Sequence, residues 1–183
     1  MIARRSLHNQ TIRRSRLMES DVSAPIEDPE EVFEIIASSI GYTFSLEELI
    51  RTIEGVFVNR PIYIKRIQLP PHITGRTYNL RDAVVIQLNA SLDRDHAQCV
   101  CCHEIGHIVF NHVEPTELSL QEFITEFESG RIDQIPTIYR QHKTVFDHPW
   151  EQIAEDIGVL FIEAIERWES TLPDLAQDIY GID

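Results

Sequence analysis

The chain of 183 residues is 43% hydrophobic and 25% charged, which is enough apolar material for one domain with a buried core. Its formal net charge of −14 argues against a nucleic-acid-binding body, because contacts to a phosphate backbone need clustered lysine and arginine. The longest apolar runs, such as Ala83–Ile86, are far shorter than the ~20 residues of a membrane-spanning helix, and no secretory signal is visible. We therefore expect no association with a membrane.

Positive charge is concentrated at the start of the chain. Residues 1–20 contain five arginines and one acidic residue, which leaves a net charge of −18 on the remainder. Because large apolar side chains are scarce there, we predict a basic, disordered arm over residues 1–24 and a single domain over residues 25–183. Two alternatives are that the arm binds nucleic acid or a partner protein, and that translation begins at Met18.

The three cysteines, Cys99, Cys101 and Cys102, lie within four residues of each other. An odd number at this spacing does not fit the disulfide framework of a secreted domain, so we expect a reducing, cytoplasmic environment. Cys99 stands four residues before His103 and faces the same side of a helix. A redox or metal-linked role for Cys99 is the alternative to a buried apolar side chain.

Hydrophobic periodicity predicts an α+β fold. Gly75 is interpreted as a break before the second strand, and Pro173 as the end of the last long helix. The connections between the strands are short, which favours antiparallel pairing in a small sheet of about three strands. The predicted helices cover residues 29–40, 45–53, 93–111, 119–128, 149–169 and 174–180. The predicted strands cover residues 61–67, 76–80 and 83–89.

His103, Glu104 and His107 form an HExxH motif within a largely apolar helix. Residues four apart lie one above the other on a helix, so the two histidines can bind one Zn²⁺. Glu104 lies about 100° further round, where it can act as general base on a water at the metal. A buried helix needs partners for such groups, because each unpaired buried polar group costs ~1–3 kcal/mol. Metal coordination supplies those partners.

A catalytic zinc site also needs a third protein ligand. The arrangement HExxHxxGxxH is excluded, because Phe110 and Val113 occupy its glycine and third-histidine positions. We predict Glu151, on the last long helix, as the third ligand. Glu155, one turn further on, is the alternative ligand or the carboxylate that holds a ligand histidine in place. The face expected to pack on the HExxH helix comprises Ala154, Ile157, Gly158 and Phe161.

Peptide hydrolysis also benefits from a donor that stabilises the developing oxyanion. The segment before Glu151 offers Tyr139, His142 and His148, of which His148 ranks first because it lies only three residues away. His112 would point about 140° away from His107 on an ideal helix, so we interpret it as a helix-terminal or supporting residue and not as a ligand.

The order of these features resembles the ImmA/IrrE family of zinc metallopeptidases. The resemblance covers about residues 60–165 and implies a minimal gluzincin-like fold with a zinc site. It also implies a protein substrate, because several relatives cleave a DNA-binding repressor of the helix-turn-helix type, while other members are toxin components beside such a regulator. The matching residues are His103, Glu104, Gly106, His107 and His112, followed by Glu151, Ala154, Ile157 and Gly158.

We therefore expect a cytoplasmic zinc endopeptidase of narrow specificity that cleaves a helix-turn-helix regulator. One Zn²⁺ per chain would be held by His103, His107 and Glu151, with Glu104 and His148 as catalytic residues. The alternative is a non-proteolytic regulator, or the toxin component of a toxin–antitoxin pair, that acts by binding protein or nucleic acid. An extended substrate would lie along a sheet edge that residues 83–89 form or adjoin.

Overall fold

The computed structural model describes residues 28–131, 138–141 and 149–180, which form five α-helices, one π-helical turn and four strands. The predicted arm of residues 1–24 lies outside the described residues. In chain order the elements are α1 (Pro29–Ile40), α2 (Leu46–Ile53), the π-helical turn (Glu54–Val58), β1 (Ile62–Ile67), β2 (Ile73–Asn79), β3 (Val84–Asn89), α3 (Arg94–Val109), α4 (Leu120–Glu128), β4 (Ile138–Gln141) and α5 (Pro149–Tyr180).

Local capping signals set the starts of the early helices. Asp28 accepts a hydrogen bond from the backbone N–H of Glu30 at the start of α1, where Pro29 fits because its missing N–H needs no partner. Ser45 and Glu48 form the predicted capping box of α2. Gly41 adopts a φ of +98° and ends α1, as the sequence predicts.

The sheet has the order β1-β3-β2-β4, so the three predicted strands form its body and the short β4 is added at one edge. β3 runs antiparallel to β2 but parallel to β1. The expectation of purely antiparallel pairing is therefore wrong, because β3 inserts between two strands that follow each other in the chain. All six residues of β3 are buried. Residues 83–89 thus lie inside the sheet and do not form its edge.

Two predicted chain breaks are also wrong. Gly75 lies within β2, where its lack of a side chain leaves room for a helix that packs on the sheet. Pro173 lies within α5, whose backbone stays helical from Pro149 to Tyr180. Proline removes one helical hydrogen bond but does not always end a helix, and long helices can continue through it.

The main core joins the sheet to the helices around α3, which packs against β2, β3 and α5. Aromatic rings of α1, the α1–α2 connection and α5 meet here, where Phe161 contacts Phe33 and Phe44 with ring centroids 6.3 and 6.5 Å apart. A smaller cluster, centred on Tyr78 and Phe123, holds α4 on the opposite side of β3. Within the described residues, no helix is long and apolar enough to cross a membrane.

Candidate metal centre

The HExxH helix is buried around its motif. Asp93 caps α3 by accepting a hydrogen bond from the backbone N–H of His96, and most of the helix beyond its first turn is enclosed by the sheet and α5. The side chains of His103, Glu104 and His107 are at most 3% exposed. Three polar residues on consecutive turns are therefore withdrawn from water together, which is costly unless each finds a partner.

The close approach of α5 to α3 brings a carboxylate to the histidines. A β-carbon built on Gly106 would stand 2.8 Å from the carbonyl oxygen of Ala154, so only glycine fits at this crossing. At Gly158, one turn further along α5, an added β-carbon would stand 3.3 Å from the backbone nitrogen of His103. The predicted packing of this α5 face on α3 is confirmed. Glu151 lies on the turn of α5 before Ala154, on the side that faces the motif.

Three side chains converge at this crossing. The Nε2 atoms of His103 and His107 lie 3.1 Å apart. The carboxylate of Glu151 lies 3.2 Å from Nε2 of His103 and 3.5 Å from Nε2 of His107. Ligand atoms 2.0–2.1 Å from a tetrahedral zinc ion stand about 3.3 to 3.4 Å from each other, so these separations suit one ion. The group of His103, His107 and Glu151 can hold a metal.

The outer nitrogen of each histidine ring has its own partner. Nδ1 of His103 lies 3.0 Å from Oε2 of Glu155, so the carboxylate favours the tautomer that leaves Nε2 with its lone pair. Nδ1 of His107 lies 3.1 Å from Nδ1 of His112. Such outer partners orient metal-binding histidines and raise their basicity. The position of Glu155 therefore fits our alternative prediction, in which its carboxylate holds a ligand histidine in place.

His112 reaches His107 because α3 ends before it. Asn111 adopts the left-handed region with a φ of +55°, and the backbone N–H of His112 donates to the carbonyl of His107. The angle of 140° between His107 and His112 holds only for a continuous helix, and here the chain has turned back before His112. The ring of His112 stacks on Trp150 at a centroid distance of 5.1 Å and on Phe110 at 5.6 Å. The supporting position predicted for His112 is therefore reached by a turn.

Glu104 points from α3 towards β2. Its Oε2 accepts a hydrogen bond of 2.5 Å from the hydroxyl of Thr77, and its Oε1 has no hydrogen-bond partner among the described residues. A β-carbon on Gly75 would stand 2.5 Å from that Oε1, so the glycine leaves the space that the carboxylate occupies. Burial raises the pKa of the Glu104 carboxyl, while His107, His103 and the hydroxyl of Thr77 act in the opposite direction.

Glu151 has the opposite electrostatic balance. Burial alone would raise the pKa of its carboxyl, but the hydrogen bonds and charges of His103 and His107 outweigh burial and lower the pKa to about 2. The two glutamates therefore differ in affinity for a proton. Glu151 stays an anion, as a metal ligand must, whereas Glu104 is the carboxylate better suited to accept a proton.

Residues 59–135 match the Peptidase M78 family, described as the IrrE N-terminal-like domain. This match confirms the resemblance to the ImmA/IrrE family. The matched segment contains β1 to β3 and the HExxH helix and ends before α5, so the placement of Glu151 and Glu155 depends on the geometry alone. No curated protein and no solved structure gives a significant match. The match to a peptidase family supports a protease role, and the triad is compatible with a metal cofactor.

The described residues do not test the candidates for the oxyanion donor. His148 and His142 lie outside those residues. The backbone of Tyr139 lies in β4, opposite Arg76 of β2. The role of His148 therefore stays a prediction.

Thr77 and Trp150 are two supporting residues that sequence reasoning missed. Gly75 and Thr77 are two residues apart on β2, so they share one face of the strand. A glycine followed by a hydroxyl-bearing residue on that face is the signal that could have indicated space and a hydrogen bond for a buried polar side chain. Trp150 directly precedes Glu151, and nothing in its local pattern indicates that its ring stacks on the ring of His112.

Proposed function

We propose that this ImmA/IrrE family protein is a zinc-dependent endopeptidase of narrow specificity. The observation that carries the proposal is the position of Glu104, which is fully buried beside the histidines with one carboxylate oxygen lacking a partner among the described residues. Such an arrangement costs free energy of folding. A general base at a metal centre uses it, whereas a module that only binds a partner gains nothing from it.

We propose one Zn²⁺ per chain, held by Nε2 of His103, Nε2 of His107 and the carboxylate of Glu151. Two imidazoles and one carboxylate are a donor set typical of catalytic zinc, and the separations between the three groups suit tetrahedral coordination. When bound, the ion would supply Lewis-acid chemistry that polarises the scissile carbonyl and makes water a better nucleophile at neutral pH.

The residues around the ion have separate roles in this proposal. Glu104 takes a proton from the attacking water and passes it to the nitrogen of the leaving amine, while Thr77 holds the carboxylate in one orientation. Glu155 accepts a hydrogen bond from Nδ1 of His103, which would leave the Nε2 lone pair of that ring available to the ion, and His112 accepts a hydrogen bond from Nδ1 of His107. His148 is our candidate donor to the oxyanion.

We propose a regulatory protein of the helix-turn-helix type as the substrate. The support is the family resemblance, in which several relatives cleave such repressors. A linker between folded domains would suit the site, because proteolysis needs an extended segment. We infer a reducing, cytoplasmic setting from the three cysteines, whose odd number and close spacing do not fit the disulfide framework of a secreted domain.

The proposal is tested with the zinc-loaded full chain and a proteome-derived peptide library analysed by mass spectrometry. We expect new peptide termini with the native protein and none with Glu104→Gln, while both proteins retain one zinc per chain. Glu163→Gln, an exposed change on α5, is the matched control and should cleave like the native protein. Equal cleavage by Glu104→Gln, or an uncut library, would contradict the endopeptidase. If the native protein cleaves nothing but binds a partner protein, the result would favour the regulator or toxin alternative.

A further inference from the structure

The strand β1 is an open edge of the sheet, since its only partner among the described strands is β3. The carbonyl groups of Pro61 and Ile67 accept hydrogen bonds from the β3 side. Backbone groups alternate in direction along a strand, so those of Ile64 and Arg66 point away from β3. Among the described residues, nothing pairs with the backbone of these two residues. Such an edge can add a strand from another chain.

Each face of β1 borders a cavity. On the face that carries Tyr63 and Lys65, a cavity of about 460 Å³ extends to α4. On the face that carries Ile64 and Arg66, a cavity of about 390 Å³ extends to α3 and α5. The side chains of an added strand would alternate between the two faces, and so between the two cavities. This geometry suits an extended segment.

The cavity linings are mainly apolar. On the α4 side, Tyr63 is 41% exposed and Phe127 is 39% exposed, while the other cavity reaches the buried side chains of Leu88 and Ile165. Gln87, which lines the α4 side, is only 3% exposed, and its Oε1 has no hydrogen-bond partner among the described residues. An unpaired buried carbonyl is costly, so an occupant that donates a hydrogen bond here would be favoured.

The charge of β1 is opposite to that of the chain as a whole. Lys65 and Arg66 are its charged residues, in a chain with a formal net charge of −14. Among the described residues, neither forms an ion pair with a carboxylate. Glu47 and Glu169 line the cavity on the Arg66 side but pair with other arginines, and Glu128 lines the cavity on the Lys65 side. Opposite charges across neighbouring strands stabilise their pairing, so β1 favours an acidic neighbour.

The same charges disfavour occupants from this protein itself. A second copy paired through its own β1 would bring Lys65 and Arg66 of both copies together, and like charges across strands are destabilising. Residues 1–20 contain five arginines and one acidic residue, so they would meet the same repulsion. An acidic segment of another protein avoids it.

We infer that the outer edge of β1 binds an extended acidic segment of a partner protein by strand addition. In β1, Lys65 and Arg66 interrupt a run of apolar and aromatic residues. The complementary segment therefore has two consecutive acidic residues flanked by apolar ones. The inference goes beyond the proposed peptidase and does not depend on it, because β1 and the candidate metal centre lie on different sides of β3: Glu104 is held by Thr77 of β2.

The test titrates the zinc-loaded full chain with a capped fluorescent peptide, Thr-Leu-Val-Asp-Glu-Val-Leu-Thr, and measures anisotropy. We expect it to bind about tenfold more tightly than the same peptide with Lys-Lys at its centre. Of two analogues N-methylated at alternate sets of positions, one should lose at least about tenfold in affinity and the other should bind nearly unchanged, because only one set of N–H groups faces β1. Equal binding of acidic and basic peptides, or of both analogues, would overturn the inference.

A charge reversal tests the assigned strand. Lys65→Glu should reduce the preference for the acidic peptide to below about threefold. Arg81→Glu makes the same charge change at an exposed residue that lines neither cavity, so it should keep the full preference. Equal loss of preference in both variants would show that net charge, and not β1, selects the peptide.

Hydrogen exchange of the backbone amides identifies the occupant. In the free chain the amides of Ile64 and Arg66 should exchange rapidly, and the acidic peptide should slow them at least about tenfold, whereas those of Tyr63 and Lys65 are slow throughout because they face β3. Slow exchange of Ile64 and Arg66 without peptide would overturn the partner assignment, in favour of a second copy if the chain sediments as a dimer and of its own residues if it is a monomer. Peptide protection of these amides together with an uncut peptide library would overturn the peptidase and leave the docking edge standing.

Discussion

Gly106 of α3 and Ala154 of α5 are in close backbone contact, and a β-carbon on Gly106 would stand 2.8 Å from the Ala154 carbonyl oxygen. One turn of α5 separates this contact from Glu151, whose carboxylate faces both histidines of the motif. The spacing of the two helices therefore fixes the distance between the imidazoles and the third candidate ligand. A backbone contact thus determines the geometry of the candidate metal centre.

Gly106→Ala should destabilise the protein even though alanine is the better helix former. Helix propensity alone would make the alanine variant more stable than the native protein by about 1 kcal/mol. The clash is with backbone and cannot be relieved by a rotamer change, so we expect it to cost about 3 kcal/mol, at the upper end for overpacking. The net loss in the free energy of unfolding should then be about 2 kcal/mol, together with weaker zinc binding. Urea denaturation and zinc titration measure the two effects. Gly158→Ala, whose β-carbon meets its nearest atom at 3.3 Å, should change stability less. A net gain of stability in Gly106→Ala would contradict the close contact.

Glu151→Ala and Glu155→Ala should separate a ligand from its supporting residue. Removing the Glu151 carboxylate takes away one of three protein ligands, so zinc should be lost almost completely. Removing Glu155 releases only the outer nitrogen of His103, which should weaken zinc binding by about 10–100-fold. Competition with a chromophoric chelator gives both affinities, with Glu163→Ala as the exposed control on the same helix. Full zinc occupancy in Glu151→Ala combined with loss of zinc in Glu155→Ala would show that Glu155 is the ligand and Glu151 the supporting residue.

Gly75→Ala should impair cleavage more than zinc binding. Its β-carbon would stand 2.5 Å from Oε1 of Glu104 and 2.7 Å from Val100, so the carboxylate must move from its place beside the centre. We expect kcat/KM for a cleaved peptide to fall by roughly a hundredfold, which is within the usual contribution of a general base, while zinc affinity changes by less than about threefold. Gly55→Ala, whose β-carbon meets nothing within 4 Å, is the control. Unchanged cleavage in Gly75→Ala would show that Glu104 can act from elsewhere.

The three thiols should differ in reactivity. Burial, together with the charge of Glu104, raises the pKa of Cys101 to about 12, and burial raises the pKa of Cys102 well above its usual range. A raised pKa keeps a thiol protonated and unreactive at pH 8. Cys99 is half-buried and lines a cavity of about 390 Å³ that His103 also lines. A disulfide reagent such as DTNB should therefore modify one thiol in the folded protein and all three after unfolding. Cys99→Ser should abolish the fast reaction, and a second fast thiol in that variant would refute the assignment.

Features governed by neighbouring residues could be predicted from the sequence. The capping box of Ser45 and Glu48, the end of α1 at Gly41 and the α-helical HExxH motif are all determined within a few residues, so local physical rules suffice. The approach of α5 to α3 was also predictable, since a face of small and apolar residues following a glutamate favours tight packing against a metal-binding helix.

Features governed by distant contacts could not be predicted. In the sequence, Gly75 is indistinguishable from a chain break. Only the structure shows that Glu104, 29 positions later, occupies the space beside it that a side chain would fill. β1 pairs in parallel with β3 because β3 lies between β1 and β2 in the sheet. The pattern of apolar residues within a strand does not specify which strands lie next to it. His112 contacts His107 only because Asn111 takes a left-handed turn that an ideal helix excludes.

The outer side of β2 is already in use. β4 pairs with it antiparallel from Ile73, opposite Gln141, to Thr77, opposite Ile138, and Thr77 is the residue whose hydroxyl holds Glu104. A peptide that added itself to β2 beside Glu104 would need the same backbone donors and acceptors that residues 138–141 occupy. The two cannot pair with the strand at once. Along this strand, the first competitor of an incoming substrate is therefore the protein's own chain.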